Sequence, residues 1–476
     1  MRIAILAAIL IGATIGLSGR GEGDGEPPSR AATRSQAIGH GSGGSLAAVV
    51  ARPSGAAEPA AIPITAASDV DGVGVAGGMD STAGANAVRG DIDGLFAVIP
   101  NTPRLWKALK KAKCSMDWGA TVKHQLGQWQ ETGFTQRQVD EFCVKHAFRA
   151  SLVNGELRMS YVKPRDNKNV HRVLCGLWLM WMAALRASAR GNPIPALEIQ
   201  IQPGDTAFSL TLPRKSWKNP GPALGNIKCT GASVSFPLTI HDQFGFGTGR
   251  MSLERYHERF NEAKGWEEGE SATAWADKAP QSIFSGPRGS GQRGNRSKIF
   301  KLKSEFLNTS TSPMKVEEFT GFRSNVYAYG HCGWSRRIHE LVMMKTVVMM
   351  EHSICREYMH GVFEPGKDHI AVAEDFSDLP AKLETLFTSA DQGKAMAERW
   401  YRRGLDIMSL PCTLDYVEAI LREYARLQRF EPVYHPEWPL FDLDKNLSFF
   451  DEPGMELDSS SCTPPKFDYQ ERAHAC

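Results

Sequence analysis

The sequence has little net charge, no closely spaced cysteine pair and no apolar run that spans a bilayer comfortably. Its 55 Lys and Arg residues against 53 Asp and Glu residues leave a formal charge of +2, so no overall field favours a nucleic acid or a membrane surface. The 9 cysteines show no CxxC spacing, which argues against a zinc or redox motif. Any recognition based on charge therefore has to be local.

The N-terminal segment, residues 1–18, has the pattern of a secretory signal. Arg2 precedes an apolar run from Ile3 to Leu17. This run is shorter than the ~20 residues that cross a bilayer, so a cleaved signal peptide and a short signal-anchor both stay open. An oxidising lumen permits disulfides, but the odd number of cysteines leaves at least one thiol without a partner inside the monomer. The pairing cannot be predicted from the sequence.

Residues 19–94 form a predicted disordered stem, because they are rich in Gly, Ala, Ser and Pro and nearly lack aromatic side chains. Such a composition cannot bury enough apolar surface to offset the ordering entropy. A tail is predicted at the other end, over residues 436–476. Asp-x-Asp triplets start at Asp69, Asp91 and Asp442, and solvated acidic turns are the favoured interpretation of all of them over a metal site.

A first folded domain is predicted over residues 95–275. An uncharged block within residues 170–186 predicts a buried helix. Beyond the next turn, Leu197, Ile199 and Ile201 alternate with polar residues, which predicts a β-strand. Asp205 follows this strand, at the position where open α/β sheets present catalytic groups. An Asp in a turn is more often only a turn residue, so its role depends on other evidence.

A second domain is predicted over residues 276–435, in which strands and helices alternate. Strands are expected within residues 319–329, 345–350 and 368–376, and helices after Ser335, after Ser389 and from about Leu414 to Leu427. This alternation predicts a parallel, doubly wound sheet.

Residues 282–307 carry the most informative pattern: a short apolar run, a loop of glycine and arginine, and a segment with helical spacing of apolar residues. Glycines let backbone N–H groups approach an anion, and a helix N-terminus attracts negative charge. Arg288, Arg293 and Arg296 can bind phosphate oxygens. The loop matches neither the Walker A pattern nor GxGxxG, so a solvated loop is the competing interpretation.

A second helix start carries two further arginines, Arg336 and Arg337, next to Ser335. Two helix N-termini of this kind on one parallel sheet would converge on its carboxyl edge. The sequence therefore predicts a site for a nucleotide diphosphate at that edge.

The order of motifs over residues 106–429 resembles glycosyltransferase family 90, which includes protein O-glucosyltransferases and capsule-associated glycosyltransferases. The motifs include the loop FSGPRGSGQR, the helix start WSRR, the strand DHIAV, the helix AMAERWYRRG and the closing LREYARLQR. The resemblance implies an α/β fold of two Rossmann-like domains, of the GT-B type, with the active site in the cleft between them. It also implies inverting, single-displacement transfer from a UDP-sugar, most often UDP-glucose or UDP-xylose, to a protein or polysaccharide hydroxyl without a metal cofactor.

The resemblance assigns roles to individual residues. Asp205 falls on the catalytic base, Arg293 on the arginine that contacts the pyrophosphate, and Glu357 on an acidic residue of the family's ExxF/Y segment. His369 matches a histidine before the strand HIAV, where a structural role is equally expected. The predicted UDP-sugar site consists of Gly286, Arg288, Arg293, Trp334, Ser335, Arg336, Arg337 and Glu357.

Two departures from the family pattern keep alternatives open. Ser285 stands where relatives commonly carry Arg, and Pro287 where they often carry Ser. The first alternative is a catalytically silent luminal protein that binds a sugar or UDP. The others are a transferase with a polysaccharide or lipid-linked acceptor and a structural α/β protein whose arginines are solvated. Nucleic acid is not an expected partner.

The expected location is the secretory pathway, in the Golgi or the lumen of the endoplasmic reticulum. The sequence ends in HAC and has no KDEL-like signal, which favours the Golgi. Secretion and a single N-terminal membrane anchor both remain open.

Overall fold

The computed structural model describes residues 107, 109–141, 148–160, 170–202, 221–228, 233–238, 253–270, 272–287, 295–312, 314–330, 335, 337–353, 355–388 and 390–441. The chain divides by its internal contacts after Gly77, and all of these residues belong to the second unit, Gly78–Cys476. The predicted targeting segment and stem therefore lie outside the described residues, and the predicted tail is described only up to residue 441.

The first sheet is mixed. Its strands are β1 (Phe148–Val153), β2 (Glu156–Met159), β3 (Leu197–Ile201), β4 (Ala223–Gly225) and β5 (Ser233–Ser235), in the order β2-β1-β3-β4-β5. β1 runs antiparallel to β2 and β3, whereas β3, β4 and β5 are parallel. Asn154 and Gly155 connect β1 to β2 with φ angles of 55° and 81°, the left-handed conformation that Asn-Gly favours in tight hairpins.

The described helices of this half include α1 (Gly119–Leu126), α2 (Gln136–Glu141) and α3 (Val170–Ala189). The next helix, α4 (Leu253–Glu268), contacts the other half, where Glu267 pairs with Lys278 and the Tyr401 hydroxyl donates to the carbonyl of Lys264. The prediction of a buried helix is confirmed by α3, in which Trp178, Leu179 and Met180 are all buried. Arg186 on the same helix is also buried and pairs with Asp415. No described helix is long and apolar enough to cross a membrane.

The strand predicted from alternating residues is confirmed as β3, but both of its faces are buried. Glu198 on the polar face pairs with Arg149, and its backbone N–H donates a hydrogen bond to the side chain of Gln428 at 3.0 Å. The polar residues of β3 therefore face neighbouring elements instead of solvent.

The second sheet is entirely parallel, as the alternation of elements predicts. Its strands are β6 (Ala279–Ser285), β7 (Leu307–Ser310), β8 (Phe322–Tyr327), β9 (Val347–Glu351) and β10 (Ile370–Val372), in the order β10-β9-β8-β6-β7. This is the strand order of a doubly wound sheet. From β6 the chain adds β7 on one side, and it then adds β8, β9 and β10 in turn on the other side.

The described helices after β6 are α5 (Asn295–Ile299), α6 (Arg337–Leu341), α7 (Leu379–Thr388), α8 (Ala390–Met408) and α9 (Leu410–Leu427). The last of them, α9, packs mainly against α3, α1 and β3 of the first half. The segment with helical spacing after the Gly/Arg loop begins with the helix α5, which ends at Ile299, and β7 begins at Leu307. The apolar residues between them pack against the core of the second sheet.

The last helix is confirmed, but it begins at Leu410, four residues before the predicted start. The side chain of Ser409 accepts a hydrogen bond from the N–H of Cys412, and Pro411 fits the first turn, where no N–H donor is needed. The predicted apolar face is buried at Tyr416, Ile420, Tyr424 and Leu427.

The same helix joins the two halves of the molecule. The Tyr416 hydroxyl donates a hydrogen bond to the carbonyl of Ser235, which ends β5. Cys412 forms a disulfide with Cys114. Cys355 is also disulfide-bonded, and its partner lies outside the described residues. One large apolar cluster contains residues from both halves, and a smaller one lies within the second sheet.

Candidate functional site

The strand order places a crevice at the carboxyl ends of β6 and β8. The chain leaves β6 for β7 on one side, whereas β8 lies on the other side of β6 and leads to β9 and β10. In open parallel sheets, ligands bind outside the carboxyl ends of the strands where the order reverses. The residues that follow β6 and β8 therefore form the candidate site.

The end of β6 is fixed by contacts with the segment around β7. The Gly286 N–H donates to the carbonyl of Ser310 at 3.0 Å, and the Ser285 hydroxyl donates to the carbonyl of Ser312 at 2.9 Å. A Cβ placed on Gly286 would lie 4.0 Å from Nη1 of Arg296, an ordinary van der Waals distance. The backbone after β6 thus runs close to the Arg296 guanidinium.

The first residues of α5 are tied to the ends of β8 and β9. Nδ2 of Asn295 donates to Oε1 of Glu351 at 3.2 Å. Arg296 donates from Nε to the carbonyl of Tyr329 at 3.1 Å and from Nη2 to that of Ala328 at 3.0 Å. The N–H of Tyr329 donates to Oε2 of Glu351 at 2.7 Å. These contacts fix both sides of the peptide at Tyr329.

Arg337, the first residue of α6, also reaches the end of β6. Its Nη1 donates a hydrogen bond to the carbonyl of Ser285, and its guanidinium lies 5.0 Å from the centre of the Phe319 ring. The structure therefore brings this predicted nucleotide-binding residue to the crevice, where it holds the backbone that enters the Gly/Arg loop.

Ser335 connects the start of α6 to β8. Its carbonyl accepts a hydrogen bond from the Tyr327 hydroxyl at 3.3 Å and another from the N–H of Ile338 at 3.2 Å. The helix start is thus attached to the strand that borders the crevice.

Glu357 lies in a buried network next to the crevice. Its Oε2 is 2.5 Å from Nε2 of His339, and its N–H donates to Nδ1 of His360 at 2.9 Å. The His360 ring stacks on Tyr329 with 6.0 Å between centroids. Oε1 of Glu357 is buried and accepts no hydrogen bond from any described residue.

Burial shifts the ionisation of several groups here. It raises the pKa of Glu351 to about 7, although hydrogen bonds from Tyr329 and Asn295 act in the opposite direction. It lowers the pKa of His360 to about 4 and also lowers that of Arg296. At neutral pH, His360 is therefore uncharged, and Glu351 titrates near neutrality.

The carboxyl edge of the first sheet meets the residues that follow β9. Lys228, after β4, and Arg356 exchange backbone hydrogen bonds at 2.9 and 2.7 Å. The Ser235 hydroxyl, at the end of β5, accepts the N–H of Tyr358 at 2.8 Å. Because β3 is parallel to β4, its carboxyl end, which leads to Asp205, points to this same edge.

The structure brings four of the predicted site residues, Gly286, Ser335, Arg337 and Glu357, to the region around the crevice. Five others lie outside the described residues and stay predictions: Asp205, Arg288, Arg293, Trp334 and Arg336. Within the described ranges, no group of three or more His, Cys, Asp or Glu side chains could hold a metal ion.

Sequence reasoning did not single out Glu351, Asn295, Tyr329 or His339. A glutamate directly after the apolar run of β9 was the one signal available for Glu351, because a charged residue at that position marks the carboxyl edge of a parallel sheet. Asn295 and Tyr329 act through a side-chain amide and a backbone N–H, which carry no motif of their own.

Comparison with known proteins gives one family. The model of glycosyl transferase family 90 matches residues 110–439, which include both sheets and the crevice. A search of curated proteins finds no match. Because the match covers more than half of the chain, the protein belongs to glycosyl transferase family 90.

Proposed function

We propose that the protein transfers glucose or xylose from a UDP-sugar to a hydroxyl group of a protein or glycan acceptor, with inversion at the anomeric carbon. Family membership supports sugar transfer. The observation that carries the donor assignment is the β6–β8 crevice, where Gly286 and Asn295, on either side of the Gly/Arg loop, are hydrogen-bonded to neighbouring strand ends. Nucleotide diphosphates bind at such positions in other parallel sheets.

The proposed active site lies in a cleft between two Rossmann-like domains, residues 95–275 and 276–435. The parallel arrangement of the second sheet and of β3, β4 and β5 supports this assignment. The backbone pair of Lys228 and Arg356 supports it as well, because it joins the carboxyl edge of one sheet to the residues after β9 of the other.

In the proposed reaction, Asp205 takes the proton from the acceptor hydroxyl. The acceptor oxygen forms a bond to the anomeric carbon as the bond from that carbon to the diphosphate oxygen breaks, and UDP leaves with the electron pair. A base at the acceptor and positive charge at the leaving group are the two requirements of such a displacement. Arg288, Arg293 and Arg336 would supply that charge, and Trp334 and Ser335 are proposed to line the same site. The proposed reaction uses no metal ion.

Glu357 is proposed to contact the donor sugar. Its buried Oε1 would accept a sugar hydroxyl, while its pairing with His339 would hold the carboxylate in place. Hydrogen bonds to a charged acceptor are stronger than those between neutral groups, so this contact would favour a correctly oriented sugar.

The first experiment is a panel of UDP-sugars scored by release of UDP in the presence of protein and glycan acceptors. Turnover with one donor would support the proposed transferase. Binding of a UDP-sugar or a glycan without turnover would identify a catalytically silent relative instead, and no binding of either would remove the proposed function.

The second experiment separates the base from the nucleotide site. Asp205→Asn should keep UDP affinity and abolish transfer, because the amide cannot accept the proton. Arg293→Ala should weaken UDP-sugar binding by about tenfold or more through loss of a charge-assisted contact, and Arg293→Lys should recover part of it. An active Asp205→Asn enzyme, or unchanged UDP affinity in Arg293→Ala, would contradict the respective assignment.

We also propose that the protein works in the secretory pathway, in the Golgi or the lumen of the endoplasmic reticulum, either anchored through residues 1–18 or released. The Cys114–Cys412 disulfide and the disulfide-bonded Cys355 support this location, since disulfides persist in oxidising compartments. Protease protection of the tagged full-length protein in microsomes tests it.

A further inference from the structure

A buried carboxylate outside the predicted site joins three elements at the crevice. Glu351 is the last residue of β9 and is 3% exposed. Its two oxygens accept hydrogen bonds from different elements: Oε1 from Asn295 at the start of α5, and Oε2 from the N–H of Tyr329 after β8. The carboxylate thus bridges the residues on both sides of the crevice.

Arg296 completes the connection from the other side. Its guanidinium donates to the carbonyls of Ala328 and Tyr329, while Glu351 accepts the N–H of the same Tyr329. Two consecutive residues of α5 are therefore attached to two neighbouring strand ends, Asn295 to that of β9 and Arg296 to that of β8. Glu351 joins these two strand ends through the N–H of Tyr329.

We propose that Glu351 is a positioning residue of the donor site, which holds the start of α5 against the end of β8 and thereby sets the affinity for the UDP-sugar. This inference rests on the proposed function. Glu351 itself does not contact the donor in this proposal. It acts by holding the side chain of Asn295 and the backbone N–H of Tyr329 in place.

The ionised form of Glu351 is the one that suits this role. A carboxylate is an acceptor at both oxygens, so it can receive both donors at once. The neutral acid donates from one oxygen, and its hydrogen bonds are weaker than those of the charged form. Burial raises the pKa of Glu351 to about 7; the charge of Glu374, in the segment after β10, also raises it, and that of Arg296 lowers it.

Donor binding should therefore depend on pH in a defined direction. Above about pH 7 the carboxylate is charged and the connection is strong, so a UDP-sugar should bind more tightly than it does below pH 7. A UDP-sugar suits this test because its diphosphate is a diester, which stays fully ionised over this range. The dissociation constant should rise about threefold between about pH 8 and about pH 6.

The test uses the full-length protein with UDP-glucose and UDP-xylose. Glu351→Gln should bind about threefold more weakly than the wild type at about pH 8 and should lose the pH dependence, since the amide stays neutral. Glu351→Ala leaves the Tyr329 N–H without its acceptor and should raise the dissociation constant and KM by about tenfold, with kcat changed less than KM. If Glu351→Ala does not fold, Glu351→Gln carries the test.

Glu374→Gln is the matched control, because it removes a nearby exposed charge without touching a hydrogen bond of Glu351. It should keep the affinity at high pH and move the midpoint of the pH dependence downwards. A ligand-free measurement runs in parallel: amide hydrogen exchange at Tyr329 and within α5 should be faster in Glu351→Gln than in Glu374→Gln.

The outcomes separate the two proposals. If the wild type binds no UDP-sugar but exchange at Tyr329 rises in Glu351→Gln, the proposed function is wrong and the positioning of α5 is supported. If the wild type binds a UDP-sugar and Glu351→Gln keeps its affinity and its pH dependence, the inference is overturned and the proposed function stands.

Discussion

The amino ends and the carboxyl ends of the strands in the second sheet form two edges, the amino edge and the carboxyl edge. Both edges contain buried charged side chains, but these side chains make different kinds of contact. Before β6, Nζ of Lys278 donates to both oxygens of Glu267, at 2.8 and 3.0 Å, and to the carbonyl of Lys345. At the carboxyl edge, Glu351 and Arg296 instead bind an amide side chain and backbone groups. Lys278 and Glu267 neutralise each other at the amino edge, whereas Glu351 and Arg296 orient the main chain at the carboxyl edge.

This difference follows from what each edge has to do. A closed ion pair such as Lys278 with Glu267 fixes one helix against one strand and leaves nothing for a ligand. A carboxylate or guanidinium that binds peptide groups fixes the geometry of loops instead, which a binding site requires. We therefore expect substitutions at the amino edge to act on stability and those at the carboxyl edge to act on donor binding.

The largest effect is expected for Lys278→Ala. It leaves Glu267 buried without a counter-charge, and loss of one partner of a buried pair lowers the free energy of unfolding by about 3–5 kcal/mol. Denaturant unfolding measures this change. The affinity of the remaining folded protein for UDP-glucose should stay at the wild-type value.

The double variant Lys278→Met with Glu267→Leu is the control for that prediction. It removes both charges together, and apolar replacement of a buried pair is often neutral or stabilising. If the double variant is as unstable as Lys278→Ala, packing around the pair and not the unpaired charge is responsible. A large loss of UDP-glucose affinity in Lys278→Ala would contradict the separation of the two edges.

Much of the second sheet was predictable because its strands and helices each have a clear local pattern. The strand β9 is an apolar run with a polar residue before it and a glutamate at its end, and α9 has apolar residues on one face. The end of α5 was harder to predict, because Ile299, Leu302 and Phe306 have helical spacing, whereas the helix ends at Ile299 and Leu302 and Phe306 pack against the core from outside it. Periodicity reports burial there and not the backbone conformation.

Long-range partners of single residues were not predictable from the sequence. Cys114 and Cys412 are 298 residues apart, and no local pattern distinguishes this pair from the other possible ones. Glu351 meets Asn295 and Tyr329 only because β6, β8 and β9 are neighbours in the sheet. The family motifs identified the loop and the helix start, whereas the contacts that hold them depend on strand order.

Arg337→Ala should have an intermediate effect, in both stability and binding. It removes the donor to the Ser285 carbonyl and the contact with the Phe319 ring, which together should lower the free energy of unfolding by about 1–3 kcal/mol. The dissociation constant for UDP-glucose should rise as well, because the end of β6 is no longer held.

Arg337→Lys is the matched variant, since it keeps the charge but loses the planar guanidinium. It should recover stability only in part. Calorimetric binding and denaturant unfolding of the two variants measure both effects. If Arg337→Ala loses stability but keeps its affinity for UDP-glucose, this carboxyl-edge residue behaves like the amino-edge pair and the comparison fails.

The smallest effect concerns two buried histidines, His360 and His369, whose charges lie close enough to interact. Burial lowers the pKa of His360, next to Tyr329, and of His369, which precedes β10, to about 4 in each case. The unfolded chain binds these protons near the ordinary pKa of about 6.5. Between about pH 6.5 and about pH 4 the unfolded state therefore holds more protons, and the free energy of unfolding falls as the pH falls.

Replacing His369 by Phe tests the contribution of one of these histidines. Each histidine should lower the free energy of unfolding by about 1 kcal/mol between about pH 7 and about pH 5.5, so His369→Phe should remove one such contribution. At about pH 7.5 the histidine is neutral in both the folded and the unfolded protein, so the free energy of unfolding measured there reports the packing effect alone and serves as the internal reference. The pH dependence of UDP-glucose binding should not change, because the charges that shift the pKa of Glu351 are those of Glu374 and Arg296. An unchanged acid slope would show that His369 takes up its proton in the folded protein, and an altered binding profile would mean that His369 also affects the donor site.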